Sequence, residues 1–173
     1  EDDDDVKVVV IRGAGRSFCA GHDLEGVGFI YGFGTGQPGE RRASQRIRLK
    51  VDRRWMELHL KLLTFPKITI CQVHGHCIGD GTLMMEYCDL AIVAEDAQIS
   101  LSEQRLGFSG SGSNLLPLYL TVGYKRAREL LLRGRAISGT EAAAMGLANR
   151  AVPLERLEAA VQEYVDDMVR LPL

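Results

Sequence analysis

Three short runs of the chain are almost continuously apolar and predict β-strands that are buried on both faces. They cover Val6 to Ile11, Ile68 to Val73 and Leu90 to Ala94. Such runs are typical of the strands of a parallel sheet, because that kind of sheet is covered on both sides. Between the first two runs, apolar residues recur with a helical period and stop before Pro66, which predicts one long amphipathic helix. Its apolar stripe consists of Ile47, Val51, Trp55, Leu58 and Leu62. Alternating strands and helices of this kind predict a right-handed, parallel α/β arrangement.

The segments between and after these elements predict a loop and several helices. Glycines recur throughout residues 26–39. A loop of this length is typical of a binding site, so we interpret it as a mobile lid. Apolar residues then recur at helical spacing within residues 115–131 and 157–168. Thr140 is predicted to be the N-cap of a short helix between these two.

The composition predicts one ordinary globular domain. The chain has 173 residues, of which 46% are hydrophobic and 25% charged, and this is enough to bury a core. The formal net charge of -2 leaves no basic face for nucleic acid, and we interpret the basic cluster within residues 41–54 as a solvated helix face. No apolar run reaches the roughly 18 residues of a membrane span. The four cysteines lack CxxC spacing, which favours buried thiols and a cytoplasmic location, with an organellar matrix as the alternative.

Several common catalytic and cofactor motifs fail in this sequence. Gly13 to Gly15 follows a strand, but Phe18 stands where a dinucleotide fingerprint has its third glycine. There is no P-loop lysine, and the Gly/Ser-rich residues 107–113 contain no GxSxG. His74 and His76 alternate along one strand without a third ligand, so we interpret them as packing or loop residues. The sequence therefore predicts chemistry without a metal.

Two turns of similar construction follow the first two strands. One is Ser17 to Leu24, and the other is Gly79 to Gly81 within VHGHCIGDGTLMMEYCD. Each leads from a strand through glycine into a helix, and such turns present backbone N–H groups to negative charge. Two such groups that converge on one point form an oxyanion hole. The two turns together therefore predict a site that stabilises negative charge.

Four ordered blocks make the chain similar to the crotonase superfamily, the enoyl-CoA hydratase/isomerase fold. They are VVVIRGAGRSFCAGHDL, FPKITICQVHGHCIGDG, CDLAIVAEDAQISLSEQRLGF and YKRARELLLRGRAISGTEAAAMGLANRAV. The resemblance implies an α/β fold, a spiral of ββα units with C-terminal helices. It implies a single domain over residues 1–173 that lacks the family's N-terminal strand segment and its last helices. It further implies an acyl-CoA thioester substrate, homotrimers or hexamers, and no cofactor other than the coenzyme A of the substrate.

The resemblance also implies site residues, position by position. The two peptide N–H groups that hold the thioester carbonyl fall on His22 and Asp80. The family usually has glycine at the position of Asp80, so its carboxylate either turns away, has a raised pKa or acts as an acid or base. The side chain of His22 is a catalytic candidate, with anchoring of the loop as the alternative. Contacts with the substrate fall on Phe18, Cys19, Ala20, Gly75, Leu83 and Phe108.

The residues at the family's two catalytic glutamate positions indicate which reaction to expect. Hydratases of the family use two glutamates, and here the second is Glu103 whereas the first falls on Leu83. A lone carboxylate can move one proton between two carbons, so double-bond isomerisation is favoured over hydration. Glu86 is predicted to form a surface salt bridge, with hydration that uses Glu86 or Asp80 as second acid/base as the alternative. An atypical C–C hydrolase or decarboxylase that uses Asp80 and His22, and a non-catalytic acyl-CoA-binding protein, stay open.

Overall fold

The computed structural model describes residues 2–30, 39–107 and 115–172. The strands are β1 (Val8–Arg12), β2 (Ile68–Val73), β3 (His76–Ile78), β4 (Leu90–Ala94), β5 (Gln98–Ser100), β6 (Ile137–Ser138) and β7 (Arg150–Val152). The helices are α1 (Leu24–Ile30), α2 (Gln45–Leu63), α3 (Asp80–Tyr87), α4 (Leu116–Arg133), α5 (Gly139–Ala144) and α6 (Leu157–Met168), with 3-10 turns at Glu103–Leu106 and Leu154–Arg156. No helix within these ranges is both long enough and apolar enough to span a membrane.

The strands form two sheets. The larger is fully parallel with the order β1-β2-β4-β7, and the smaller has the order β3-β5-β6. Helix α6 packs on β2 and β4, which are the most deeply buried strands. The predicted parallel α/β arrangement is therefore confirmed. The prediction of burial on both faces is wrong for β1, because β1 is the edge strand of the described sheet and most of its residues are only half-buried.

Helix α2 confirms the predicted long helix, and its inner face overlaps the predicted apolar stripe without coinciding with it. Ile47 and Leu58 belong to the predicted apolar stripe, yet they are 46% and 53% exposed. The residue of α2 that is buried is instead His59. Because α2 packs against α3, a histidine with a partner on α3 can be buried there. The apolar period therefore located the helix and part of its inner face, since Val51, Trp55 and Leu62 are half-buried, but it did not include His59.

Two local predictions in the loops need correction. Residues 24–30 form α1 rather than part of a loop, and residues 31–38 of the predicted lid lie outside the described residues. The N-cap of α5 is Ser138, not Thr140. Ser138 Oγ accepts a hydrogen bond from the Glu141 N–H at 3.1 Å, and the Glu141 carboxylate accepts one from the Ser138 N–H at 2.8 Å. This reciprocal pair is a capping box, and it fixes where α5 begins.

We expect Ser138→Ala to lower the free energy of unfolding by about 1 kcal/mol, because it removes the oxygen that caps α5. Thr140→Ala is the matched control, since Thr140 is exposed and lies in the first turn of α5, two residues after the cap. Denaturant unfolding of both variants measures the difference. Equal losses for the two variants would contradict the assignment of the cap.

Candidate active site

The turn at residues 17–24 lies directly against β3 and the start of α3. The Cys19 N–H donates to the His76 carbonyl at 2.9 Å, and the Ile78 N–H donates to the Cys19 carbonyl at 3.0 Å. A Cβ added to Gly21 would lie 3.2 Å from the Ile78 carbonyl oxygen. These contacts bring the two predicted turns together. His22 accordingly lies close enough to Asp80 for their charges to interact.

The turn at residues 79–81 accommodates an aspartate without strain. Gly79, the residue before α3, has a φ of 55°, whereas no non-glycine residue in the described ranges has a positive φ. Glycine therefore supplies the left-handed conformation, and Asp80 begins the helix in an ordinary one. The Asp80 N–H is one of the first N–H groups of α3, which have no acceptor within the helix. The turn therefore keeps a backbone donor at Asp80.

The Asp80 carboxylate is bound by His59 of α2. His59 Nε2 lies 2.9 Å from Asp80 Oδ1, and the two side chains are 7% and 29% exposed. The His59 ring also lies against the ring of Tyr87, with a centroid distance of 5.2 Å. Burial raises the pKa of Asp80, but the hydrogen bond from His59 and the charges of His59 and His22 lower it by more. Because the net pKa is lowered, Asp80 is ionised at neutral pH, and the raised-pKa alternative is wrong.

Helix α2 contributes a second side chain to the same region. The rings of His22 and Trp55 lie 4.5 Å apart between centroids, at an angle of 52°. Sequence reasoning placed Trp55 in the core stripe and did not consider His59 as a site residue. The sequence spacing could have indicated His59, because it follows Trp55 by four positions and therefore shares its face of the helix.

Glu103 brings a carboxyl group to the start of α3. Its Oε1 lies 3.0 Å from the position that a Cβ on Gly79 would occupy. Its Oε2 is buried and has no hydrogen-bond partner in the described part of the chain. Burial raises the pKa of Glu103 and the charge of Asp80 adds to this, although a backbone hydrogen bond and the charge of His22 act in the opposite direction. A buried carboxyl with a raised pKa is suited to proton transfer.

Glu86 is half-buried with its carboxylate turned inward and forms no surface salt bridge with a described residue, so that prediction is wrong. Both of its carboxylate oxygens are inaccessible to solvent, and neither has a partner among the residues described. Burial raises the pKa of Glu86 well above its usual value, and the charge of Glu103 raises it further. Leu83, one turn earlier on α3, belongs to the apolar core. A second carboxyl group therefore lies near Glu103 although the hydratase position is leucine.

The remaining predicted contact residues differ in their surroundings. Phe18 is buried, Cys19 is half-buried, and Ala20 is exposed. Gly75 has a φ of 58° and packs so closely on the neighbouring turn that a Cβ would overlap its backbone, so glycine is required there for structural reasons as well. Phe108 lies outside the described residues.

The two histidines near β3 have separate surroundings. His74 Nε2 lies 3.0 Å from the Gly15 carbonyl oxygen, which confirms the loop role predicted for it. His76 is exposed. Within residues 2–30, 39–107 and 115–172, no group of three or more His, Cys, Asp or Glu side chains has the arrangement of a metal site.

We expect Glu86→Gln to stabilise the protein at about pH 8 and to leave stability nearly unchanged at about pH 4. The pKa of Glu86 is raised in the folded state, whereas an unfolded glutamate has a pKa of about 4.3. The folded state therefore binds the proton more tightly, so stability is greatest below the unfolded pKa and falls as pH rises towards the folded pKa. Glutamine removes this loss because it does not ionise.

Denaturant unfolding across this pH range measures the effect. Glu158→Gln is the control, because the Glu158 side chain is 83% exposed. A loss of stability at about pH 8 in Glu86→Gln would show instead that the ionised carboxylate has a stabilising partner.

The chain belongs to the enoyl-CoA hydratase/isomerase family, whose model matches residues 1–172. A relative from Thermus thermophilus, named "Putative enoyl-CoA hydratase", is 32% identical over 167 residues, which are 94% of this chain and 62% of the relative. The peroxisomal Delta(3,5)-Delta(2,4)-dienoyl-CoA isomerase of Arabidopsis thaliana is 33% identical over 147 residues, or 84% of this chain and 52% of that protein. The chain thus spans between half and two thirds of the length of these relatives.

Solved structures confirm the predicted crotonase-type fold. A Thermobifida fusca protein described as "a putative enoyl-CoA hydratase" and crystallised with CoA has a TM-score of 0.82 and 34% identity, over 96% of this chain and 63% of that chain. A further structure under the same description, with acetoacetyl-CoA, has a TM-score of 0.80 and 33% identity, over 96% of this chain and 65% of the other.

Proposed function

We propose that the protein acts on an acyl-CoA thioester by forming its enolate. In this proposal the thioester oxygen is held by the backbone N–H groups of His22 and Asp80, and Glu103 moves the proton. The main support is the half-buried carboxyl of Glu103, whose Oε1 lies beside Gly79 at the start of α3 and whose Oε2 is buried without a described partner. Further support comes from the Thermobifida fusca structures, whose proteins were crystallised with CoA and with acetoacetyl-CoA.

The proposed reaction is the isomerisation of a 3-enoyl-CoA to a 2-enoyl-CoA. The Glu103 carboxylate removes a proton from C2, and the electrons of that C–H bond form a dienolate with negative charge on the thioester oxygen. The two N–H groups stabilise this charge. The Glu103 carboxyl then returns the proton to C4, the double bond shifts to C2–C3, and the thioester is restored. One carboxyl group is sufficient, because the same proton is taken and returned.

Leu83 supports isomerisation, whereas Glu86 supports hydration as a second candidate. Hydration needs one group that activates water and another that delivers a proton to C2. The apolar side chain of Leu83 supplies neither. The buried carboxyl of Glu86 lies near enough to Glu103 to influence its ionisation, so it has the character of a second acid. Asp80 is suited to act as a base rather than an acid, because its pKa is lowered.

Product analysis by mass spectrometry tests the proposal. The intact protein is incubated with 3-enoyl-CoA and 2-enoyl-CoA of several chain lengths, and Glu86→Gln is treated in the same way. Isomerisation leaves the mass unchanged and moves the double bond, and it should persist in Glu86→Gln. Hydration adds one water and should be lost in that variant. If the CoA esters bind but neither product forms, hydrolysis, decarboxylation or binding without catalysis replaces this proposal.

We also propose that the protein works in the cytoplasm as a homotrimer or hexamer, with no cofactor beyond the coenzyme A of its substrate. The family resemblance supports the assembly, and the cysteine pattern favours a reducing compartment. Analytical ultracentrifugation of the intact protein and fractionation of the cells that produce it test the two parts separately. A monomer, or a protein recovered outside the cytoplasm, would contradict the respective part.

A further inference from the structure

Asp80 combines two features that oppose each other in the proposed reaction. Its backbone N–H is proposed to bind the developing oxyanion, yet its side chain carries a negative charge of its own. Two negative charges that share a partly buried site repel each other strongly, because little water screens them. An aspartate at this position therefore requires something that controls where its carboxylate lies.

His59 has the geometry to exert that control. The bond between His59 Nε2 and Asp80 Oδ1 is 2.9 Å long, and the histidine side chain is almost fully buried at 7% exposure. The Tyr87 ring lies against the histidine ring, which limits how the imidazole can reorient. His59 Nδ1 is buried and has no hydrogen-bond partner in the ranges that the structure describes. The bond to Asp80 is thus the polar contact that fixes this ring.

The bond to His59 holds the Asp80 carboxylate towards α2. Glu103 Oε1 lies beside Gly79 at the beginning of α3, whereas the Asp80 carboxylate is bonded to a residue of α2. The same helix holds the ring of His22 through Trp55. One helix therefore contacts the side chains of both residues whose N–H groups are proposed to hold the oxyanion.

We infer that His59 is a positioning residue, which binds the Asp80 carboxylate on the side of α2 and so leaves the Asp80 N–H available to the oxyanion. The inference rests on the proposed function and concerns how that site tolerates an aspartate. Without His59, the carboxylate is free to rotate towards the N–H groups, where it competes with the oxyanion and repels it. The defect should then disappear when the carboxylate is removed as well.

Titration with acetoacetyl-CoA tests this directly. Its enolate absorbs in the ultraviolet, so the fraction that is ionised on the protein reports how well the oxyanion is stabilised. We expect His59→Ala to lower the enolate-to-ketone ratio by about tenfold, less than the loss of a whole oxyanion donor. In an Asp80→Gly background, the same substitution should change the ratio by less than about twofold, since coupled residues show non-additive effects. His59→Gln, which keeps a donor, should lie between wild type and His59→Ala.

Asp89→Asn is the matched control. Asp89 lies just beyond the other end of α3, and its carboxylate accepts hydrogen bonds from the Thr69 N–H and hydroxyl at 2.7 and 2.8 Å. The substitution Asp89→Asn should lower the melting temperature without changing the enolate-to-ketone ratio of bound acetoacetyl-CoA. If His59→Ala acted only through a general loss of folding, the double variant His59→Ala/Asp80→Gly would also bind acetoacetyl-CoA poorly. The inference requires instead that the double variant forms more enolate than His59→Ala alone.

The possible outcomes separate the inference from the proposed function. If wild type binds acetoacetyl-CoA without forming enolate, the proposed function is overturned, and the inference with it. If wild type forms enolate and His59→Ala forms as much, only the inference is overturned. It is also overturned if Asp80→Gly forms enolate normally but turns over no substrate, because Asp80 would then be an acid or base that His59 orients.

Discussion

Turnover of an enoyl-CoA should fall by about 10²–10⁴-fold in Glu103→Gln, the range typical of losing a general acid/base. Glutamine has nearly the same size but cannot accept and return a proton. KM should change little, because the proposed site holds the thioester through backbone N–H groups that the substitution does not touch. Steady-state measurements of kcat and KM with the most active substrate check both parts of this prediction.

Two further variants are compared with Glu103→Gln in the same kcat measurement. Glu95→Gln is the control, since Glu95 is exposed in the tight turn after β4, and it should keep the wild-type kcat. Glu86→Gln shows whether the neighbouring buried carboxyl takes over. A loss of less than about tenfold in Glu103→Gln would mean that another group carries the proton.

Gly81→Ala should lower kcat by about 10²–10³-fold, as the loss of one oxyanion donor does. A Cβ at this position would lie 2.6 Å from Cys19 Cβ and 3.1 Å from Cys19 Sγ. The Cβ of Cys19 cannot yield easily, because the backbone of Cys19 is hydrogen-bonded to β3 on both sides. The start of α3 therefore has to move away from the turn that carries His22, which separates the two N–H groups that we propose as oxyanion donors. Thermal stability should fall in the same variant.

A second substitution tests the cause of that loss. Cys19→Gly removes the atoms that the new methyl group would meet, so Cys19→Gly/Gly81→Ala should recover part of the kcat lost in Gly81→Ala. Gly26→Ala in α1 is the control, because its Cβ would meet its nearest neighbour at an ordinary 3.5 Å. If the double variant folds but stays as inactive as Gly81→Ala, the contact between Cys19 and Gly81 does not set the geometry of the site.

The sequence predicted those elements whose signal is local. β2 and β4 are recognisable because a strand covered on both faces is a continuous apolar run. The glycine turn before α3 is recognisable because the chain passes from the end of β3 at Ile78 into a helix that begins at Asp80. Glu103 was found through the resemblance of the block around it to the family, and the structure gives it the burial and the raised pKa that suit its proposed role.

The rest of the site depends on which faces of α2 and α3 meet, and no local pattern specifies this. His59 is polar, so an apolar period could not identify it as the residue that α2 buries. Glu86 was predicted to form a surface salt bridge, and an unpaired carboxylate that is buried in the charged form is costly. Its raised pKa resolves that cost, since the buried group can remain protonated where a charged one would be unfavourable.

The proposed function requires that this protein removes a proton from the carbon next to an acyl-CoA thioester. It is tested most directly by incubating the intact protein with a saturated acyl-CoA in D₂O and measuring the mass of the recovered ester. Wild type should replace hydrogen by deuterium next to the thioester, and Glu103→Gln should not. An acyl-CoA that binds to wild type and is recovered with its mass unchanged would contradict the claim.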